Sequence, residues 1–76
     1  MNKLILRLYL VERDEYLNVR FDGRLSFDEN FELMGAFYEY DFRECLVIDP
    51  VLKKALSKDV PLCRFNLPAF RTLFVY

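Results

Sequence analysis

Histidine is absent from all 76 residues. That removes the usual general base near neutral pH and the commonest metal ligand. Two cysteines remain, Cys45 and Cys63, together with scattered carboxylates. A nucleophilic thiol needs a partner that lowers its pKa, and here no Cys–His pair can form. Both cysteines therefore read as small, partly buried core residues. Glu29 and Glu32 lie one helical turn apart, next to Asp28. Two carboxylates so placed suit a glycosidase pair or a metal site in principle. The alternative is favourable negative charge at a helix N-terminus, and that is the reading adopted. Glycine occurs only at Gly23 and Gly35, so no glycine-rich phosphate loop exists. The expectation is a non-enzyme with no catalytic residue, no cofactor and no metal.

The elements that position any surface follow from composition and pattern. Seventy-six residues make a single domain, 1–76. A chain of this size buries about 60% of its unfolded surface, which leaves stability modest. Eight Phe and five Tyr offset this by burying large areas per residue. The formal net charge is −1, with basic residues interspersed among acidic ones. No stretch has the cationic excess that a phosphate backbone requires, so nucleic acid is disfavoured. The N-terminal apolar run is interrupted by Arg7, has a period of two and lacks a small-residue cleavage site. It reads as a strand and not as a secretory leader. No run is long enough to span a bilayer. The expectation is a cytoplasmic protein with reduced thiols and no membrane insertion.

Alternation over 4–11 puts Leu4, Leu6, Leu8 and Leu10 on one face, and Ile5, Arg7, Tyr9 and Val11 on the other. Residues 12–15 form a charged break. Alternation resumes over 16–21 with Leu17, Val19 and Phe21 inward, so the two runs predict an antiparallel hairpin. Ser26 and Glu29 have the spacing of a capping box. Phe27, Phe31, Met34 and Phe37 or Tyr38 then recur at helical spacing. Residues 39–44 read as the loop leaving the helix. A short strand over 45–48 stops at Asp49-Pro50. Residues 52–56 read as a short edge strand or turn. Pro61-Leu62 begins a brief helical turn, and 72–76 is the last strand.

The segment Leu62-Cys-Arg-Phe-Asn-Leu-Pro-Ala-Phe-Arg-Thr-Leu-Phe-Val-Tyr76 carries a specific spacing. Leu62, Phe65, Asn66, Leu67, Thr72, Leu73 and Val75 resemble the end of the ubiquitin-like β-grasp fold. There a helical turn and a Tyr-Asn-Ile-type loop lead to a final central strand. The resemblance implies an α+β fold: a β-hairpin, a helix, then two to three strands in a mixed sheet that wraps the helix. Conjugated members continue into a Gly-Gly tail, whereas this sequence stops at Tyr76. The expectation is therefore the scaffold without the tail chemistry, a protein that is not conjugated. Within the family the chain is similar to the YukD group, small bacterial ubiquitin-like proteins linked to type VII secretion. Their Asp-x-x-x-Gly-x-x-Leu turn corresponds to Asp49-Pro-Val-Leu-Lys-Lys-Ala-Leu56, with Lys53 where glycine usually sits. Pro68-Ala69-Phe70 in the last loop is a second departure. The expected core is Leu4, Leu6, Leu8, Leu17, Val19, Phe31, Met34, Val47, Leu56, Leu62, Leu67, Leu73 and Val75.

What remains is a surface. If Leu73 and Val75 face the helix, Phe74 and Tyr76 face away from it. The same alternation turns Ile48, Ile5 and Tyr9 outward. Family members carry the patch that most partners grip on the matching face. The protein-binding residues expected here are therefore Ile5, Tyr9, Ile48, Phe74 and Tyr76, rimmed by Arg7 and Arg71. Aromatic anchors in an apolar patch are the usual composition of an interaction hot spot. Incidental exposure is the bland alternative, since much of any protein surface is apolar. The leading expectation is a non-enzymatic protein-interaction adaptor, by resemblance an accessory of type VII secretion that binds a secretion-system component. The alternative is a small structural subunit that homodimerises or docks permanently through the same face.

Overall fold

A computed structural model of the chain describes residues 3–38 and 40–76, with side chains omitted over 35–38. The first strand, β1 (Lys3–Leu10), pairs antiparallel with β2 (Glu15–Asp22), without a bulge, from Lys3↔Asp22 to Leu10↔Glu15. The charged break forms a 3-10 turn over Val11–Arg13, and Asp14 closes it in the left-handed region at φ 49°. A short polar side chain tolerates that region better than most.

The helix α1 (Phe27–Tyr38) begins with the reciprocal bonds its sequence predicts. Glu29 N–H donates to Ser26 Oγ, and Ser26 N–H donates to Glu29 Oε1, each at 3.1 Å. Two otherwise orphaned donors are thereby satisfied. Phe27 and Phe31 point into the core and stack with ring centroids 5.6 Å apart. The side chains of Phe37 and Tyr38 lie outside the described residues, as does Glu39 at the start of the expected loop.

The chain returns through β3 (Val47–Asp49), the two-residue β4 (Lys54–Ala55), a 3-10 turn over Leu62–Phe65 and β5 (Thr72–Val75). The sheet order is β2-β1-β5-β3-β4, with β1 and β5 parallel and the other neighbours antiparallel. The loop before β5 is stitched to the helix start: Leu62 N–H donates to Leu25 C=O at 3.1 Å, and Asp28 N–H to Lys58 C=O at 2.9 Å.

The core fills the space between α1 and the inner sheet face. Leu6, Leu8, Leu62, Val47, Leu73 and Val75 are wholly enclosed, with Val19, Phe31, Leu56 and Leu67 also buried. Leu4, Leu17 and Met34 are only partly buried and pack against its margin. Leu17 lies toward the hairpin end of β2, beyond Val19 and Phe21, which are buried on the same face. Phe42 belongs to the core although it sits in the loop after the helix, stacked on Phe31 at 4.3 Å. Among the described residues no helix is long and apolar enough to cross a membrane.

Candidate functional site

Strand register brings one residue from each of five strands into a row across the open sheet face. Tyr16 pairs with Tyr9, Tyr9 with Phe74, Phe74 with Ile48, and Ile48 with Ala55. Neighbouring strands lie roughly 4.8 Å apart, so these residues stand side by side across the sheet. Tyr9 and Tyr16 have centroids 4.7 Å apart, and Tyr9 meets Phe74 edge-on at 5.5 Å. Such pairs contribute about 0.5–1.5 kcal/mol beyond area burial. Mutual packing leaves Tyr9, Phe74 and Ile48 half-buried, while Tyr16 stays 60% exposed.

The row is fixed at Tyr9 and extended beside Phe74 and Ile48. The Tyr9 hydroxyl donates to the Asp14 carboxylate, and that bond beside a negative charge holds the phenol proton above its ordinary range. Pairing between β3 and β5 continues one residue further than the strands themselves. Leu46 and Tyr76 exchange backbone hydrogen bonds of 3.1 and 2.9 Å. Tyr76 and Leu46, each about half exposed, thus extend the patch beside Phe74 and Ile48. Arg7 flanks it, with its guanidinium 5.9 Å from the Tyr16 ring centre.

Of the five residues expected at the site, Tyr9, Ile48, Phe74 and Tyr76 are brought together. Ile5 shares their face but is set apart. It pairs with Arg20, and the Arg7–Thr72 position intervenes between it and Tyr9. Its neighbour is Phe70, whose N–H donates to the Ile5 carbonyl at 2.6 Å. Phe70 is 64% exposed and sits at φ 63°, an outlier conformation for an aromatic residue. Tyr16 and Leu46 are members that the sequence reading passed over. The outward parity of Tyr16 was available from the β2 alternation and that of Leu46 from the strand over 45–48; that Leu46 lies beside Tyr76 required the β5 register.

Arg71 is not on the rim. It has the parity of Leu73 and Val75, and its Nη1 lies 2.7 Å from Oδ2 of Asp49. Asp49 has no exposure, and its Oδ1 accepts from the N–H groups of Val51 and Leu52 at 2.9 and 3.2 Å. This pair fastens the turn after β3 to the last strand and is structural.

Cys45 is buried, and burial pushes its thiol pKa up. Its Sγ donates to the Phe42 carbonyl at 3.0 Å. Cys63 is exposed, contrary to the expectation that both thiols are partly buried core groups. The 3-10 turn explains this, since Leu62 takes its inward position. Glu29 is engaged in the capping box, and Asp28 lies 3.9 Å from Lys58 Nζ. An open cleft of about 560 Å³ separates α1 from the loop that follows it. Asp28, Glu32, Tyr40 and Asp41 line it. Arg43 binds the Asp41 carboxylate there and lowers its pKa to about 2.

The sequence matches no family model, and no curated protein is significantly similar to it. Solved structures do match. A protein designed de novo on the basis of ubiquitin superposes with a TM-score of 0.77 at 17% identity, covering 99% of this chain and 88% of its own. With the mixed sheet, its order and the single described helix, this establishes the architecture: the chain has the ubiquitin-like β-grasp fold.

Proposed function

We propose that the chain is a non-enzymatic interaction adaptor that grips a protein partner through its open sheet face. The observation that carries this reading is the unbroken row Tyr16–Tyr9–Phe74–Ile48, extended by Leu46 and Tyr76. Scattered apolar exposure needs no explanation, but a contiguous aromatic patch with a cationic flank has the composition of a hot spot. Tyr9, Ile48, Phe74 and Tyr76 are the anchors, and Ile5 with Phe70 forms a separate secondary contact. The cellular setting we propose is the cytoplasmic side of a bacterial type VII secretion system, with a secretion component as partner. Its support is the resemblance of the Asp49–Leu56 turn and of residues 62–76 to the YukD group.

The test compares wild type with the Ile48→Ser/Phe74→Ser double variant. Both are used as bait in lysate of the native host, and captured proteins are identified by mass spectrometry. A secretion component held by wild type and lost by at least tenfold with the variant is the expected result. An unchanged set of captured proteins, with the variant's circular dichroism intact, would place binding elsewhere.

A further inference from the structure

The two sheet edges differ in how they are protected. β4 has two residues and is preceded by Lys53, which with Lys54 supplies the short length and lysine charge that deter edge pairing. β2 is eight residues long, pairs with β1 without a bulge, and contains no Pro, Gly or Lys. Its free groups can be assigned. Ile5 and Arg7 direct their backbones toward the β5 side: Phe70 N–H donates to Ile5 C=O, and Arg7 N–H donates to Arg71 C=O. Bonding sides alternate along a strand, so Leu4, Leu6, Leu8 and Leu10 bond to Phe21, Val19, Leu17 and Glu15. Tyr16, Asn18 and Arg20 therefore point their N–H and C=O groups off the sheet edge. Asp22 ends this open stretch. Its N–H donates to Asn30 Oδ1 at 2.9 Å, and its carbonyl accepts from Asn30 Nδ2 at 3.1 Å.

We propose that β2 pairs antiparallel with β2 of a second copy of this chain, about a two-fold axis at Asn18. In that register Tyr16 faces Arg20 of the second copy, Asn18 faces Asn18, and Arg20 faces Tyr16. These three pairs exchange about six backbone hydrogen bonds. On the outer face each Tyr16 ring meets a guanidinium, a favourable contact. The two Asn18 amides can bond to each other. On the inner face Leu17, only half-buried in one copy, meets Val19 of the other. A two-fold at Arg20 instead sets like charges opposite each other, which is unfavourable. Moving the centre toward Tyr16 or toward Asp22 leaves an edge residue without a strand partner. The groove between β2 and α1 adds apolar surface beside the seam, bordered by Met34 and by Leu33, which is 71% exposed. The axis is perpendicular to the sheet, so both open faces lie on the same side of a ten-stranded sheet. This pairing stands whether or not the open face binds a partner.

Sedimentation or light scattering over a concentration series tests it. Wild type should rise from 9.2 kDa toward twice that mass. Asn18→Pro removes an N–H that no intramolecular bond uses, so the variant should keep its circular dichroism and stay monomeric. Asn18→Lys and Asn18→Glu should each be monomeric, and an equimolar mixture of the two should regain the dimer. The charge pair reads the same axis if the proline variant fails to fold. A wild type that stays at 9.2 kDa at every soluble concentration overturns the proposal. So does a dimer that survives in all three variants, or one that Ile48→Ser/Phe74→Ser abolishes while the Asn18 variants do not.

Discussion

Asp49 and Arg71 show how one residue pair can decide local architecture. The carboxylate is fully enclosed, bonded to two backbone N–H groups on one oxygen and to the Arg71 guanidinium on the other. Arg71 retains some solvent contact, with 20% of its side chain accessible, so its own rehydration on loss of the partner is easy. The reverse does not hold. Arg71→Ala would strand a buried charge, at a cost of roughly 3–5 kcal/mol. We expect urea unfolding to report a loss near the lower end, and Asp49→Asn added to Arg71→Ala to recover part of it. A single variant with an unchanged midpoint would mean that the pair does not secure the turn. The sequence alone places Arg71 with Arg7 at the rim of the apolar patch. Parity along β5 sends it to the other side.

At the scale of elements, four non-glycine residues among those described, Asp14, Lys53, Asn66 and Phe70, occupy the left-handed region where glycine is the ordinary choice. Lys53 sits at φ 57°, in the turn between β3 and β4, at the position where the resembled turn has glycine. A side chain with a Cβ costs roughly 1–2 kcal/mol in that conformation. Glycine also loses more entropy on folding, which returns part of the difference. Lys53→Gly should therefore raise stability by about 0.5–1 kcal/mol, while Lys53→Ala changes it little. Denaturant melts of the two variants check this, and equal midpoints would refute it. The helix start needs no such allowance. Ser26 and Glu29 satisfy each other, as their spacing alone announced. Phe42 was not legible in the same way. A loop has no period, so nothing local distinguishes its buried Phe from an exposed one.

For the whole molecule, the Cα radius of gyration is 11.2 Å. A compact domain of this length should have about 11.4 Å. Among the described residues one sheet, one α-helix and one core cluster pack together. We expect urea unfolding followed by tyrosine fluorescence and by far-ultraviolet circular dichroism to give coincident two-state curves. Separated midpoints would reveal an independently melting part. Charges of both signs share the open face: Lys3, Arg7 and Arg20 have its outward parity, and so does Asp22, which pairs with Lys3.

The amino-acid sequence determined what is local or periodic. Alternation fixed which faces of β1, β2 and β5 turn inward, because a strand's period of two admits no other arrangement once one side is apolar. The capping box placed the helix start, and Asp49-Pro50 closed the short strand. The ordered spacing of residues 62–76 was enough to point to the fold that the structural match supports. Only the tertiary structure decided what depends on register between strands distant in the chain. It aligned Tyr16, Tyr9, Phe74 and Ile48 in one row, set Ile5 apart, added Leu46 and turned Arg71 toward Asp49. It also left β2 at the sheet edge. Register is a relation between strands, set by the packing of a shared core, and no single segment encodes it.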